Sequence, residues 1–197
     1  MSELATFFLV GFRHIVSVEA MDHVLFLLVL AAIYRFRDWR DALRVASAFT
    51  VGHSITLALA VTGAVRMPTA VIEFLIPVTI VATCVENLGV TDRTRAPWGG
   101  RYRPVFAGVF GLVHGAGFAN YLRDLFVDRV AVPLLGFNLG IEAGQVVVLL
   151  AAFAVFSAVD AGLRATPVRT PLRARVVMVS SCVAVIASVW AAQRAPW

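Results

Sequence analysis

Four histidines, His14, His23, His53 and His114, fall in or beside long apolar runs of a 197-residue chain, in company with Glu19, Asp22, Glu73, Glu86 and Glu142. Imidazole with carboxylate is a borderline donor set that suits Zn, Ni, Co, Cu or Fe(II) and fits an all-oxygen Mg²⁺ or Ca²⁺ site poorly. Thiolate takes no part, because Cys84 and Cys182 stand singly inside apolar runs and form neither a disulfide framework nor a CxxC pair. Imidazole binds a metal only when neutral, so binding is expected to weaken as pH falls through roughly 6.5. An ionisable group near a bilayer centre costs at least ~2.5 kcal/mol, so several in one small chain need a reason. Hydrogen bonding between helices, at ~0.6 kcal/mol on average, would account for one such histidine. Four of them with several carboxylates point instead to a bound ion or a proton pathway.

The elements that must position these groups are membrane helices. Sixty per cent of the residues are apolar and 15% charged, and the mean hydropathy is +0.85, well above soluble domains. The charge of +5 comes from 17 arginines and no lysine, gathered between apolar runs rather than in a stripe, which disfavours nucleic-acid binding. Expected spans cover about 4–34, bent or broken near 11–19, then 44–65, 69–90, 104–122, 131–159 and 173–192, each near the ~20 residues a hydrocarbon core requires. The fold class is thus an all-α integral membrane bundle of about six helices, residues 1–197 forming one polytopic domain. No basic segment precedes the first apolar stretch, so that stretch is expected to stay as a span.

Alternate connectors are basic. Arg35, Arg37, Arg40 and Arg44 follow the first span, Arg93, Arg95, Arg101 and Arg103 the third, and Arg164, Arg169, Arg173 and Arg175 the fifth. The positive-inside rule then places both termini in the periplasm of a bacterial inner membrane. Counting inward, Asp22, His23, His53, His114 and Glu142 fall near mid-depth, His14, Glu19 and Glu73 towards the outer face, and Glu86, beside Asn87, towards the cytoplasm. At 100° per residue Glu19, Asp22 and His23 share a face, as do Thr50, His53 and Ser54, and Asn138, Glu142 and Gln145. Gly111 and Gly115 make a small-xxx-small pattern that admits a neighbouring helix close to His114.

Five ordered blocks carry a family resemblance: GFRHI at 11–15 with DHVLF at 22–26, AFTVGHSITL at 48–57, VEN at 85–87, FGLVHGAGFA at 110–119 and FNLGIEAGQ at 137–145. Together they resemble the HupE/UreJ membrane proteins, regarded as secondary nickel and cobalt permeases often encoded beside hydrogenase or urease genes. The resemblance implies metal-associated roles for His14, Asp22, His23, His53, His114 and Glu142. The chain departs from the family pattern between His14 and Asp22, where seven residues intervene and Glu19-Ala20 stands in place of a glycine. In a straight helix His14 and His23 would lie about 180° apart, so they share an ion only if the chain bends between them.

The function expected is a permease moving Ni²⁺ or Co²⁺ from periplasm to cytoplasm, with Zn²⁺ or another divalent ion compatible with the same donors. Glu19, Glu73 and His14 would capture the ion, the mid-depth group would hold it and Glu86 would release it. No Walker A loop occurs, so the drive would be the ion gradient and the membrane potential, about 4.6 kcal/mol for a dication crossing 100 mV. The partners implied are the lipid bilayer and the ion, with a second copy or a larger membrane complex left open. Other readings are a haem or redox-metal subunit, an intramembrane zinc hydrolase using Ser54 or a metal-bound water, and an accessory subunit without transport.

Overall fold

The structure, a computed structural model, describes residues 2–65, 68–90, 96, 100–125, 130–168 and 170–197, with the side chains of Glu19 and of residues 118–125 outside the description. The described residues are helical, without a strand: α1 (Glu3–Val16), α2 (Met21–Ala31), α3 (Trp39–Val61), α4 (Thr69–Gly89), α5 (Arg103–Leu125), α6 (Ala131–Arg164) and α7 (Pro171–Gln193), with 3-10 turns at Val18–Ala20 and Phe36–Asp38. Arg93, Arg95 and Arg169, counted in the charge pattern, lie outside the described residues.

The first apolar run breaks as expected. Ser2 caps α1, accepting from the Ala5 amide at 3.4 Å, and Ser17 leaves the helical region at φ −77°, ψ 153°. After the 3-10 turn α2 sets off at 67° to α1. Gly11, within the stretch where a break was expected, is helical, and its missing side chain lets α1 lie against the backbone of Phe137.

Helices α3, α4, α6 and α7 are each long and apolar enough to cross a membrane, and α1 with α2 makes a fifth candidate when the bent pair is taken as one span. The remaining expected span, 104–122, is helical within α5 but does not join that group among the described residues. Large apolar side chains such as Val51, Ile55, Leu59, Val105, Val109, Leu135 and Leu150 are exposed on the outside of the bundle, as lipid rather than water would require.

Helix α2 runs through the middle. Its residues from Leu25 to Ala31 are almost all buried, the pattern of a helix apolar all round. Around it α3 packs on α5, α1 on α6 and α4 on α7. The first two contacts are backbone to backbone. A Cβ at Gly111 would overlap the Phe49 carbonyl oxygen, one at Gly115 the His53 carbonyl, and one at Gly140 the Phe8 carbonyl. The small-xxx-small pattern therefore places α5 against the backbone of His53 itself. Leu4 meets Gly136 at the start of α6, and Trp197 meets Phe74 at the start of α4, ring centroids 5.2 Å apart.

Two arginines counted as connector charges are buried clamps. Arg175, 2% exposed, donates to the carbonyls of Ala32 and Tyr34 at 3.1 and 2.8 Å and to Asp160 at 2.6 Å. The Ala32 carbonyl at the C-cap of α2 lacks an intrahelical donor, and the guanidinium fork supplies one there and another to Tyr34 just beyond the helix. Arg103 does comparable work beside Glu86 and Asn87.

A bulky residue at Gly115 must push α3 and α5 apart, whereas Gly162 has open space around it. Gly115→Val is expected to cost about 1–3 kcal/mol or more from overpacking, lowering the melting temperature in detergent, while Gly162→Ala leaves it unchanged or raises it.

Candidate metal site

The bend between α1 and α2 turns His14 back onto His23, ring centroids 4.7 Å apart. His53 from α3 completes a group whose ligand nitrogens all lie within 4.8 Å of one another. Two nitrogens on one ion at 2.0–2.1 Å stand at most about 4.2 Å apart, so small ring movements bring all three onto one ion. His114 from α5 stacks edge-on against His23 at 5.1 Å. Four imidazoles from four helices thus meet beside the start of α2.

Hydrogen-bond partners decide which nitrogen each ring offers. Asp22 Oδ1 accepts from the His23 backbone amide at 2.8 Å and lies 2.9 Å from His23 Nδ1. A carboxylate there holds the proton on Nδ1 and leaves the Nε2 lone pair for a ligand, the carboxylate–histidine–metal arrangement. Thr79 does the converse for His114. Its hydroxyl donates its one hydrogen to the Ile76 carbonyl at 2.7 Å, so towards His114 Nε2, 3.0 Å away, it accepts. His114 then carries its proton on Nε2 and presents Nδ1.

Those presented atoms lack protein partners. Among the described residues His23 Nε2, His114 Nδ1 and both nitrogens of His53 are buried without a hydrogen bond, and His53 is 0% and His114 1% exposed. Each unsatisfied buried polar atom costs about 1–3 kcal/mol, so their convergence is a destabilising feature that a bound ion would offset. The His53 ring is held by packing instead, stacked on Phe137 at 6.2 Å, while the His53 backbone lies against Gly115.

A cavity of about 1090 Å³ reaches this group. Glu73, exposed near the start of α4, and Arg194, just past the end of α7, line its upper part, and His14, Asp22, His23 and His114 its deep part. Glu73 thus stands where an approaching cation would meet it. Glu19 lies in the Val18–Ala20 turn, its side chain outside the described residues. Asp22 faces the cavity but engages His23 rather than joining the compact group of nitrogens.

Glu142 and Glu86 stand elsewhere. Glu142 accepts from Ser47 at 3.1 Å, and Gln145, one turn along α6, accepts from Thr50 at 3.1 Å. Ser47 and Thr50 precede His53 on α3, which puts this polar stripe about one to two turns further along the bundle. Glu86 sits at the far end of α4, gripped by Tyr102 and Arg103. The residues that sequence reasoning missed are Thr79 and Arg103. Thr79, Thr83 and Glu86 fall at i, i+4 and i+7 of α4, a polar stripe that periodicity could have revealed. Arg103 read as one more loop charge, with nothing local to set it apart.

Thr79→Val keeps the shape and removes the acceptor, leaving the His114 tautomer unset. Its affinity for Ni²⁺, measured by titration calorimetry, is expected to fall 10–100-fold, as for other outer partners of metal-binding histidines, and Asp22→Ala is expected to act the same way through His23.

No curated protein and no solved structure matches the chain. The model of the family described as HupE / UreJ protein matches residues 1–194. With its ordered histidine blocks and the whole chain covered, the protein belongs to the HupE/UreJ family of multi-pass membrane proteins.

Proposed function

We propose that the protein is a secondary transporter for a divalent transition-metal ion, Ni²⁺ or Co²⁺, moving it from periplasm to cytoplasm. In this reading the chain crosses the bacterial inner membrane six times, α1 with α2 as one broken span, with both termini outside. The observation that carries it is the set of inward-facing imidazole nitrogens from α2, α3 and α5, unpartnered among the described residues, at the deep end of a wide cavity. The family's association with nickel and cobalt supports the choice of ion, and the imidazole donors are in keeping with it.

The parts divide the work as follows. Glu73 draws the cation into the cavity, Asp22 supplies the nearest fixed negative charge, and His14, His23, His53 and His114 replace its water. Neutral nitrogen donors hold such an ion without a closed thiolate cage, which suits a site that must also release it. Cys84 is buried and Cys182 lies on the outside, and neither faces the group. An inside-negative potential of 100 mV contributes about 4.6 kcal/mol for each dication.

Two features count against the rival chemistries. His23 is crowded by all three other imidazoles, at ring-centroid distances of 4.7, 5.1 and 6.1 Å, which leaves no flat slot for a porphyrin beside it. Ser54 donates to the Thr50 carbonyl at 2.6 Å, so its hydroxyl is engaged with the helix backbone instead of aimed at the histidines.

Detergent-purified protein is expected to carry histidine-dependent nickel or cobalt by plasma mass spectrometry and to show no Soret band. His53→Ala and His114→Ala should each abolish Ni²⁺ uptake into proteoliposomes, which an imposed inside-negative potential should accelerate in the parent. Unchanged metal stoichiometry and uptake in both variants would sink this reading.

A further inference from the structure

Beyond each histidine of the inner group, one turn towards the end of the bundle opposite the cavity mouth, stands a phenylalanine. Phe26 follows His23 by three residues on α2, Phe49 precedes His53 by four on α3, and Phe110 precedes His114 by four on α5. The three rings meet: Phe26 lies 4.8 Å from Phe49 and 6.4 Å from Phe110, and Phe26 and Phe49 pack under the His114 ring at 5.7 and 5.0 Å. They make an apolar floor beneath the histidines.

On the other side of that floor is a second cavity of about 30 Å³, bounded by Phe26 and Phe110 above and by Thr83, Glu86, Tyr102 and Arg103 below. It is large enough to hold water. The Glu86 carboxylate that would draw a cation there is already satisfied. Arg103 Nε donates to Glu86 Oε1 at 3.1 Å, its Nη2 donates to Glu86 Oε2 and to Asn87 Oδ1, and the Tyr102 hydroxyl donates to Glu86 Oε1. Arg103 is only 6% exposed. Bidentate, desolvated pairs of this kind are among the strong polar contacts. Asn87 in turn donates to the Val29 carbonyl of α2 at 2.6 Å and to Ser180 of α7 at 3.4 Å, so the clamp also holds the helix that carries His23 and Phe26.

We propose that Arg103 and the Phe26, Phe49 and Phe110 layer form the exit gate of the pathway, with the guanidinium acting as a tethered cation that occupies the Glu86 exit site until the gate opens. This rests on the transport reading above. An ion held by the histidines meets an apolar layer and then a buried positive charge, so it cannot leave inward while the outer cavity stands open. When Arg103 withdraws, Glu86 becomes a free carboxylate ligand directly below the floor, and the coupling through Asn87 lets α2 shift. The two ends of the pathway are therefore open in turn, never together.

The test measures thiol labelling by a membrane-impermeant maleimide in a Cys84→Ala, Cys182→Ala background, with Thr83→Cys probed from the cytoplasmic side and Ser17→Cys from the outer side. With Arg103 in place, Thr83→Cys is expected to react slowly and Ser17→Cys, at the wall of the outer cavity, quickly. In Arg103→Gln, and independently in Glu86→Gln, the inner site should react about tenfold faster, as expected when a bias of roughly that size towards the closed state is removed, while the outer site slows. Unchanged labelling in both variants, or acceleration at both positions as a merely loosened bundle would give, overturns the gate. Labelling needs no bound metal, so this outcome is independent of whether the histidines carry nickel.

Discussion

Two glycine-lined helix contacts set the geometry on which the remainder of the bundle depends. Between helices in lipid there is no hydrophobic drive, so close backbone approach and van der Waals contact must supply the association. Gly111 and Gly115 press α5 onto the backbone of α3 at Phe49 and His53, and Gly136, Gly140 and Gly144 do the same for α6 against α1. The first contact fixes His53 relative to His114, and the second holds the short α1 so that its last turn delivers His14 to the centre. A helix of 14 residues cannot cross the bilayer alone, yet welded to α6 it ends where the site begins.

The central helix α2 is positioned by polar groups. The Ala32 carbonyl at its C-cap receives the Arg175 guanidinium, Val29 receives Asn87, and Asp22 at its start orients His23. Arg175, Asn87 and Arg103 find partners for their polar atoms, as low dielectric demands, while Asn138 Oδ1, Gln145 Nε2 and Asp160 Oδ1 are buried without one among the described residues. Against that background the unpartnered nitrogens of His23, His53 and His114 stand out. They converge at the inner end of a cavity, where a bound cation would satisfy them.

Along the bundle the chemistry is layered. Exposed acid at Glu73 gives way to imidazoles, imidazoles to three phenyl rings, and these to the Glu86–Arg103 clamp. His23, His53 and His114 each have a phenylalanine one helical turn away on the same helix, so imidazole layer and apolar floor are tied to the same three helices. A transporter needs such coupling, because an opening at one end that did not close the other would be a pore. Glu142 with Ser47, and Gln145 with Thr50, form a separate polar seam between α3 and α6, set apart by the fold from the imidazole group.

The linear chain was enough to establish the medium, the helical class, the break in the first run and the family, since apolar periodicity and the five ordered blocks are local properties. It also showed that His14 and His23 could meet only through a bend, and that Gly111 and Gly115 would bring a helix close to His114. Tertiary structure alone decided the rest. The 67° turn between α1 and α2 set which histidines converge, the single hydroxyl hydrogen of Thr79 set which nitrogen His114 presents, and burial turned Arg103 and Arg175 from loop charges into clamps. Those outcomes depend on which helix lies beside which and on where a side chain's few hydrogen bonds are spent. Neither quantity is encoded in spacing along one helix.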